Sequence, residues 1–294
     1  MVRHFLCDDD LENEEVQRLL KLASDLKARP IQPLLPNKTL AMIFAKPSTR
    51  TRVSFEVGIN HLGGSGLYLG MNDIQLKRGE TIADTAKTLS RYVDGIMARL
   101  FAHSDIVELA KHSTVPVING LTDTYHPCQA LADYLTVKEK KGKLEGLKLA
   151  YVGDGKNNVA NSLIRLGAKL GVHVAIGAPK EFWPSKEITK GTKTKVTANA
   201  KEAVKGADVI YTDVWVSMGD EAEMAKRKEI LKPYQVNGAL MRAAKKDAIF
   251  MHCLPAHRGE EVTAEVIDGK QSVVFDQAEN RLHAQKALMV MLMR

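Results

Sequence analysis

The sequence predicts an α/β protein with two doubly wound parallel-sheet domains and a ligand-binding cleft between them. Short apolar runs alternate with segments of helical periodicity along most of the 294 residues, as expected where a helix follows each parallel strand. The runs are almost continuously apolar, which is typical of parallel strands covered on both faces. The length corresponds to two domains of roughly 150 residues each.

Seven apolar runs are predicted as strands, with helices between them. The strands are 39–45, 95–101, 115–118, 147–152, 172–176, 208–214 and 248–254. One helix is predicted at 55–62, where apolar side chains recur at i, i+4 and i+7 before two glycines. A second is predicted at 160–170, before Gly171.

The lysine-rich segment 138–146 interrupts this alternation and predicts the domain boundary. The first domain is expected at 1–137 and the second at 138–277. A helix at 278–294 follows the last strand and is expected to return to the first domain. Because ligands of such sheets bind outside the carboxyl ends of the strands, the functional residues should follow strands.

Composition limits the classes of function. Lys and Arg number 42 against 35 Asp and Glu, a net charge of +7. The basic residues are spread along the chain and aromatic residues make up 5%, so the pattern of a nucleic-acid surface is missing. A basic surface that attracts a small polyanion explains the charge equally well. We expect no nucleic-acid partner.

The cysteines and the apolar runs predict a soluble cytoplasmic protein. Cys7, Cys128 and Cys253 lack CxxC spacing, which argues against a disulfide framework and a zinc ribbon, so no metal is expected. The apolar runs are too short to span a bilayer. The acidic residues 8–10 are unlike a secretory or transit peptide.

Polar segments follow three strands of the first half. The segment 46–52 (KPSTRTR) opens a helix, and its hydroxyls, arginines and free N–H groups suit a phosphate group; an ordinary helix cap is the alternative. His126 and Gln129 lie at another strand-to-helix junction and could hydrogen-bond a small carbonyl or amide, although a packed histidine is the alternative. Arg99 lies at the end of a third strand.

The second half offers different chemistry. The segment 153–158 (GDGKNN) lacks the third glycine of a dinucleotide loop, so a nicotinamide site is rejected. Asn157 and Asn158 instead offer amide groups to a polar ligand. Asp213 ends a strand and could bind an ammonium group, with a helix cap as the alternative. The loop that follows it, through 217–219 (SMG), is predicted to move on ligand binding.

The last predicted strand ends in His252 and Cys253, and Arg281 lies in the E-N-R segment that begins the terminal helix. A thiol nucleophile would need His252 or His257 as its base. Because neighbours on a strand point to opposite faces, we expect that His252 and Cys253 do not face each other. A buried, inert thiol is the favoured interpretation.

Taken in chain order, S-T-R-T-R, H-P-C-Q, D-x-x-x-S-M-G, H-C-L-P and E-N-R resemble the motifs of the aspartate/ornithine carbamoyltransferase superfamily, most closely its ornithine carbamoyltransferase family. The resemblance runs from about Leu40 through the terminal helix. It implies an inter-domain active-site cleft and carbamoyl transfer from carbamoyl phosphate to the δ-amine of L-ornithine, giving L-citrulline and phosphate for arginine biosynthesis. It also implies that there is no cofactor, and that the chain forms a homotrimer or a multiple of trimers.

The resemblance implies a role for each matching residue. Carbamoyl phosphate would be bound by Ser48, Thr49, Arg50, Thr51, Gln75 of the neighbouring subunit, Arg99, His126, Gln129, Cys253, Leu254 and Arg281. Ornithine would be held by Asn158, Asp213, Ser217 and Met218. The catalytic residues would be Arg50, Thr51, Arg99, His126 and Cys253, with the middle three stabilising the developing oxyanion.

The second substrate depends on the motifs of the second domain, because aspartate carbamoyltransferases share the first two motifs. An anionic substrate would call for arginines on two carboxylates, whereas Asp213 can pair with the α-ammonium group of ornithine. Another amine, such as putrescine or lysine, stays open. A non-catalytic binder of carbamoyl phosphate or of a polyanion is the alternative from a different class.

Overall fold

The computed structural model describes residues 2–216 and 224–294. Within them the chain forms two compact units. The first contains the chain up to Leu135 together with Glu279–Arg294, and the second is Thr136–Ala278. Each unit is built on one parallel β-sheet, which confirms the predicted α/β class.

The sheet of the first unit has four parallel strands in the order β2-β1-β3-β4. They are β1 (Thr39–Phe44), β2 (Ser65–Gly70), β3 (Gly95–Arg99) and β4 (Val117–Leu121). The helices that run within or into this unit are α1 (Asn13–Ala28), α2 (Thr49–His61), α3 (Ile82–Leu89), α4 (His103–His112), α5 (Pro127–Lys141) and α12 (Val274–Met293). Part of its core is a buried cluster that includes Ile43, Ile96 and Ile106.

The sheet of the second unit has five parallel strands in the order β7-β6-β5-β8-β9. They are β5 (Lys148–Val152), β6 (His173–Gly177), β7 (Lys195–Thr197), β8 (Val209–Tyr211) and β9 (Ile249–Met251). The described helices are α6 (Asn158–Lys169), α7 (Lys186–Thr189), α8 (Ala200–Val204), α9 (Met224–Leu231), α10 (Gly238–Arg242) and α11 (Ala264–Ile267). Val152, Ile210 and Phe250 pack in one of its buried clusters.

All seven predicted strands are present, and two further strands were missed. β2 lies at the edge of its sheet and is largely exposed, so its sequence lacks the continuous apolar run of a central strand. β7 has three residues and also lies at an edge. Sequence patterns identify buried strands more readily than exposed edge strands.

Two details of the predicted element pattern were wrong. The lysine-rich segment does not interrupt the structure at residue 138, because α5 continues to Lys141. Its last turn carries three lysines, which favour the negative end of the helix dipole, and Gly142 follows with a φ of 74°. The terminal helix begins at Val274 rather than at residue 278.

No helix in the described part of the chain combines the length and the apolar character needed to cross a membrane.

Candidate active site

The predicted phosphate segment lies at the start of α2. Ser48 is the N-cap residue, and its Oγ accepts the Thr51 N–H at 3.2 Å, so one of the predicted hydroxyls does cap the helix. Thr49 is exposed, Arg50 is half-buried and Thr51 is fully buried. The Ser54 hydroxyl donates to the Arg50 carbonyl at 2.6 Å. Because the first N–H groups of a helix have no acceptor within the helix itself, the first turn of α2 can donate N–H groups to a ligand.

Arg281, in the E-N-R motif, contacts two other motifs of the first unit through Thr51 and Gln129. Its guanidinium is 2% exposed and donates to Thr51 Oγ1 at 3.1 Å and to Gln129 Oε1 at 2.7 Å. Its Nε donates to Gln285 Oε1 at 2.9 Å, and the Gln285 amide donates to the Ser54 hydroxyl at 2.8 Å. The helix α12 thus holds a buried cation against the start of α2 and the first turn of α5.

Gln129 is held from both ends of its amide. Its Nε2 donates to Asp133 Oδ1 at 2.8 Å while its Oε1 accepts from Arg281, and all three side chains are buried. Asp133 was not predicted. Its position four residues after Gln129 on a helix was the available signal, because such side chains are neighbours.

His126 lies among the cations of the same unit. It is 5% exposed, and burial, followed by the charges of Arg281, Arg99 and Arg50, holds its pKa well below the usual value. The imidazole is therefore neutral at physiological pH, and it can polarise a carbonyl only by donating an N–H. Arg99 is the last residue of β3 and is 7% exposed.

The remaining predicted residue of the first unit is Gln75. It opens a single 3-10 turn, Gln75–Arg78, and its side chain is exposed.

In the second unit, Asp213 lies two residues beyond β8 and is 6% exposed. Its Oδ1 accepts the Val214 N–H at 2.8 Å and the Cys253 thiol at 3.0 Å. Its Oδ2 accepts from the Asn157 amide at 3.0 Å. These donors fix a buried carboxylate at the end of the sheet, where an ammonium group could pair with it.

The two asparagines have different positions. Asn157 is the N-cap of α6: its Oδ1 accepts the Val159 N–H while its Nδ2 donates to Asp213, and the side chain is buried. Asn158 is only half-buried. Both functional groups of the Asn157 amide are thus already used, which favours Asn158 for contact with a ligand.

A partly buried ion pair lies beside Asp213 and was not predicted. Arg227 Nη2 lies 2.5 Å from Asp154 Oδ2, and its Nε donates to the Trp215 carbonyl at 3.1 Å. Burial raises the pKa of Asp154, and the charge of Asp213 acts in the same direction while Arg227 opposes it. The two members are far apart in the sequence, so no local pattern indicated this pair.

His252 and Cys253 lie beyond the end of β9. The strand alternation that was expected to separate them therefore does not apply, and this expectation was wrong. An imidazole nitrogen, the thiol and a carboxylate oxygen of Asp213 lie within 4.8 Å of one another. Yet His252 Nδ1 accepts the Leu254 N–H at 2.9 Å and Nε2 lies 3.2 Å from Glu261 Oε1. Both ring nitrogens are engaged, which disfavours His252 as a base for the thiol.

Two groups of potential metal ligands occur among the described residues. In the first, Asp213, His252 and Cys253, each member has the partners given above. In the second, His257, Glu260 and Glu261, the Glu260 carboxylate lies 2.6 Å from Lys228 Nζ. Cys253 and Leu254 are half-buried.

Two predicted ornithine residues, Ser217 and Met218, lie outside the described residues. The same holds for Gly219 of the loop that was predicted to move.

Two family models match nearly the entire chain. The carbamoyl-P binding domain of aspartate/ornithine carbamoyltransferase matches residues 3–139. The Asp/Orn binding domain of aspartate/ornithine carbamoyltransferase matches residues 145–292. The chain therefore belongs to the aspartate/ornithine carbamoyltransferase family, as the order of its motifs predicted.

The relatives identify the branch of the family. The ornithine carbamoyltransferase of Thermococcus kodakarensis is 58% identical, over 99% of this chain and 96% of that protein. The ornithine carbamoyltransferase of Bacillus subtilis is also 58% identical, over 95% of this chain and 90% of that protein. The solved ornithine carbamoyltransferase of Pyrococcus furiosus has a TM-score of 0.95 at 56% identity, covering 99% of this chain and 97% of its own. The Thermus thermophilus structure has a TM-score of 0.94 at 43% identity with full coverage of both chains.

Proposed function

We propose that this protein is an ornithine carbamoyltransferase, which transfers the carbamoyl group of carbamoyl phosphate to the δ-amine of L-ornithine and releases L-citrulline and phosphate. The observation that carries this proposal is the position of Arg281, which joins Thr51 to Gln129 beside the cations that surround His126. Relatives of the same name at 58% identity support the choice of reaction.

The first unit is proposed to bind carbamoyl phosphate. The N-terminus of α2 offers backbone N–H groups and a favourable dipole to the phosphate, and Arg50 adds a bidentate contact. Ser48, Thr49 and Thr51 are on the same turn. Arg99, His126 and Gln129 are proposed to reach the carbamoyl end, because charge-assisted donors there stabilise the oxygen as it becomes negative.

The second unit is proposed to bind ornithine. Asp213 is a fixed, buried carboxylate suited to an ammonium group. Asn158 is proposed to contact the amino-acid portion together with Ser217 and Met218. Cys253 and Leu254 are proposed to lie near the reacting carbon, and the half-buried thiol is proposed to help position the δ-amine.

The reaction needs a neutral amine and a good leaving group. The δ-nitrogen attacks the carbonyl carbon, the C–N bond forms, and the C–O bond to phosphate breaks. The phosphate can accept the proton that the amine loses, so neither a covalent enzyme intermediate nor a cofactor is required. Both substrates must meet in one water-poor site, which is why an inter-domain cleft is part of the proposal.

The proposed assembly is a homotrimer, or a multiple of trimers, in which Gln75 enters the neighbouring site. One face of the first unit supports this. A groove of about 620 Å³ runs beside Ser48 and Thr49, and the apolar side chains of Val53 and Tyr68 on it are 51% and 36% exposed. Exposed apolar surface next to a site is typical of a face that another subunit covers. The proposed location is the cytoplasm, without a nucleic-acid or membrane partner.

Steady-state formation of citrulline tests the proposal. We expect selective turnover of L-ornithine, with aspartate, putrescine and lysine run in parallel as competing acceptors. Turnover of another amine would keep the assignment of carbamoyl phosphate and refute that of ornithine. No turnover with any of the four would favour a non-catalytic binder.

A further inference from the structure

The segment that follows β9 has an unusual backbone. Leu254 has a φ of 60°, in the left-handed region that side chains other than those of Asn, Asp and Gly rarely adopt. Such a conformation costs roughly 1–2 kcal/mol and persists only where the surroundings hold it. Cys253, the neighbouring residue, donates its thiol to Asp213. The contacts that hold residues 252–257 therefore also set the position of a proposed catalytic residue.

One of these contacts comes from the ring of His252. The side chain is completely buried, and its Nδ1 accepts the N–H of Leu254 at 2.9 Å. A ring nitrogen that accepts a hydrogen bond carries no proton. In this arrangement the proton of the neutral imidazole is on Nε2.

The partner of Nε2 is Glu261, which is also completely buried. Its Oε1 lies 3.2 Å from His252 Nε2 and accepts the backbone N–H of His257 at 2.6 Å. Burial opposes ionisation of this carboxyl, but the hydrogen bonds from His252 and His257 outweigh burial and lower its pKa. One carboxylate oxygen thus ties the beginning of the segment to its end.

We infer that Glu261 is a positioning residue, which fixes the Nε2–H tautomer of His252 so that Nδ1 holds the Leu254 N–H and Cys253 stays against Asp213. In the opposite tautomer, the Nδ1–H of His252 would point at the N–H of Leu254. The lone pair of the unprotonated Nε2 would then face the carboxylate of Glu261. The effect on catalysis rests on the proposed function, whereas the assignment of the His252 tautomer rests only on the hydrogen bonds of the ring.

Paired variants of His252 test the inference. The Oδ1 of His252→Asn can take the place of Nδ1 and accept the Leu254 N–H, whereas His252→Gln can replace only the Nε2 donor. We expect kcat to fall about 100-fold in His252→Gln, as for a misplacement of about 1 Å, and clearly less in His252→Asn. The KM for carbamoyl phosphate should change little in either. Equal kcat values in two folded variants, or a higher kcat in His252→Gln, would overturn the inference.

Variants of Glu261 provide the second comparison. Glu261→Gln keeps an oxygen acceptor for Nε2 and should retain most of kcat, whereas Glu261→Leu removes it and should lose about as much as His252→Gln. The matched control is Glu260→Gln, at the adjacent carboxylate, which pairs with Lys228 near the surface and should leave kcat unchanged. Equal kcat in folded Glu261→Leu and wild type would refute the role of Glu261.

Histidine NMR measures the tautomer of His252 without any turnover. A wrong tautomer prediction can therefore be told apart from a wrong proposed function. In ¹⁵N-histidine-labelled wild-type protein, the signal that is absent from His252→Asn should show a protonated Nε2 and an unprotonated Nδ1. A protonated Nδ1 at neutral pH would contradict the inference even in a fully active enzyme. A wild type that forms no citrulline but shows this tautomer would refute the proposed function and leave the positioning intact.

Discussion

At the scale of single residues, the chemistry of the first unit depends on a histidine that stays unprotonated among arginines. Burial, followed by the charges of Arg281, Arg99 and Arg50, lowers the pKa of His126, which is why the imidazole stays neutral. A neutral imidazole can donate to a carbonyl oxygen without adding a further charge to the ground state. The N–H of His126 would then stabilise the negative charge that develops on the carbonyl oxygen in the transition state.

The neutral state of His126 is a direct prediction. Its imidazole NMR signals, identified by their loss in His126→Asn, should not titrate between pH 6 and 8, because burial and three arginines disfavour the imidazolium. A signal that titrates near pH 6.5 would show that the ring is solvated or paired with an anion, and the proposed role would then be wrong.

The proposed contact between Arg50 and the phosphate of carbamoyl phosphate can be tested by mutation. Arg50→Gly removes a bidentate anion contact, and we expect a loss of turnover of about 100-fold or more in a protein that stays folded. The control is Arg91→Gly, at an exposed turn after α3, which should retain its activity. Near-normal citrulline synthesis by Arg50→Gly would refute the phosphate assignment.

Sequence motifs named the proposed site residues of each unit but not the residues that hold them. Thr51, Gln129 and Arg281 each belong to a recognisable motif, and the structure joins them by hydrogen bonds. Arg227 and Glu261 belong to no such motif. Arg227 meets Asp154 across 73 positions of the chain, and Glu261 meets His252 in the segment that follows β9. Such contacts depend on where a loop turns, which local patterns do not specify.

At the scale of elements, the helix α12 is held to α1 by a buried lysine. Lys286 is completely buried, and its Nζ donates to the carbonyls of Leu26 and Pro30, each at 2.9 Å. These carbonyls lie at the C-terminal end of α1, where a cation is favoured by the helix dipole. Burial nevertheless lowers the pKa of Lys286 from 10.5 to about 8, so the charged amine costs free energy in the folded state.

This pKa predicts a pH-dependent stability. Between about pH 8 and 10.5 the unfolded chain keeps the proton of Lys286 while the folded chain loses it, so the free energy of unfolding should rise with pH. The rise attributable to this group is on the order of 3 kcal/mol. Urea unfolding of the wild type and of Lys286→Met measures it as a difference between two curves. Parallel curves over this range would mean that Lys286 keeps its ordinary pKa.

The elements themselves could be predicted where burial shaped the sequence. Strands covered on both faces gave apolar runs, and all seven such runs are strands. β2 and β7 lie at sheet edges, so exposure removed the pattern. The lysines at the end of α5 were misinterpreted because a charged run is compatible with both a loop and an exposed helix end.

At the scale of the whole molecule, the proposed trimer predicts complementation. Arg50→Gly and Gln75→Ala should each be poorly active alone, because each subunit would lack one half of a shared site. Mixed and reassembled, they should regain activity, since some sites then combine an intact Arg50 with an intact Gln75 of the neighbour. Variants that form mixed oligomers without any recovery would place Gln75 outside the neighbouring site.

The return of the chain to its first unit has a consequence for protein synthesis. The ribosome releases the residues of the second unit in one continuous stretch, so they can fold while translation proceeds. The first unit must wait for Glu279–Arg294, because Arg281 and Lys286 emerge only after the whole second unit. At about 5–20 residues per second, its four strands are exposed for many seconds without α12. Chaperones that act during translation should therefore recognise the first unit, and a late frameshift should destabilise that unit before the other.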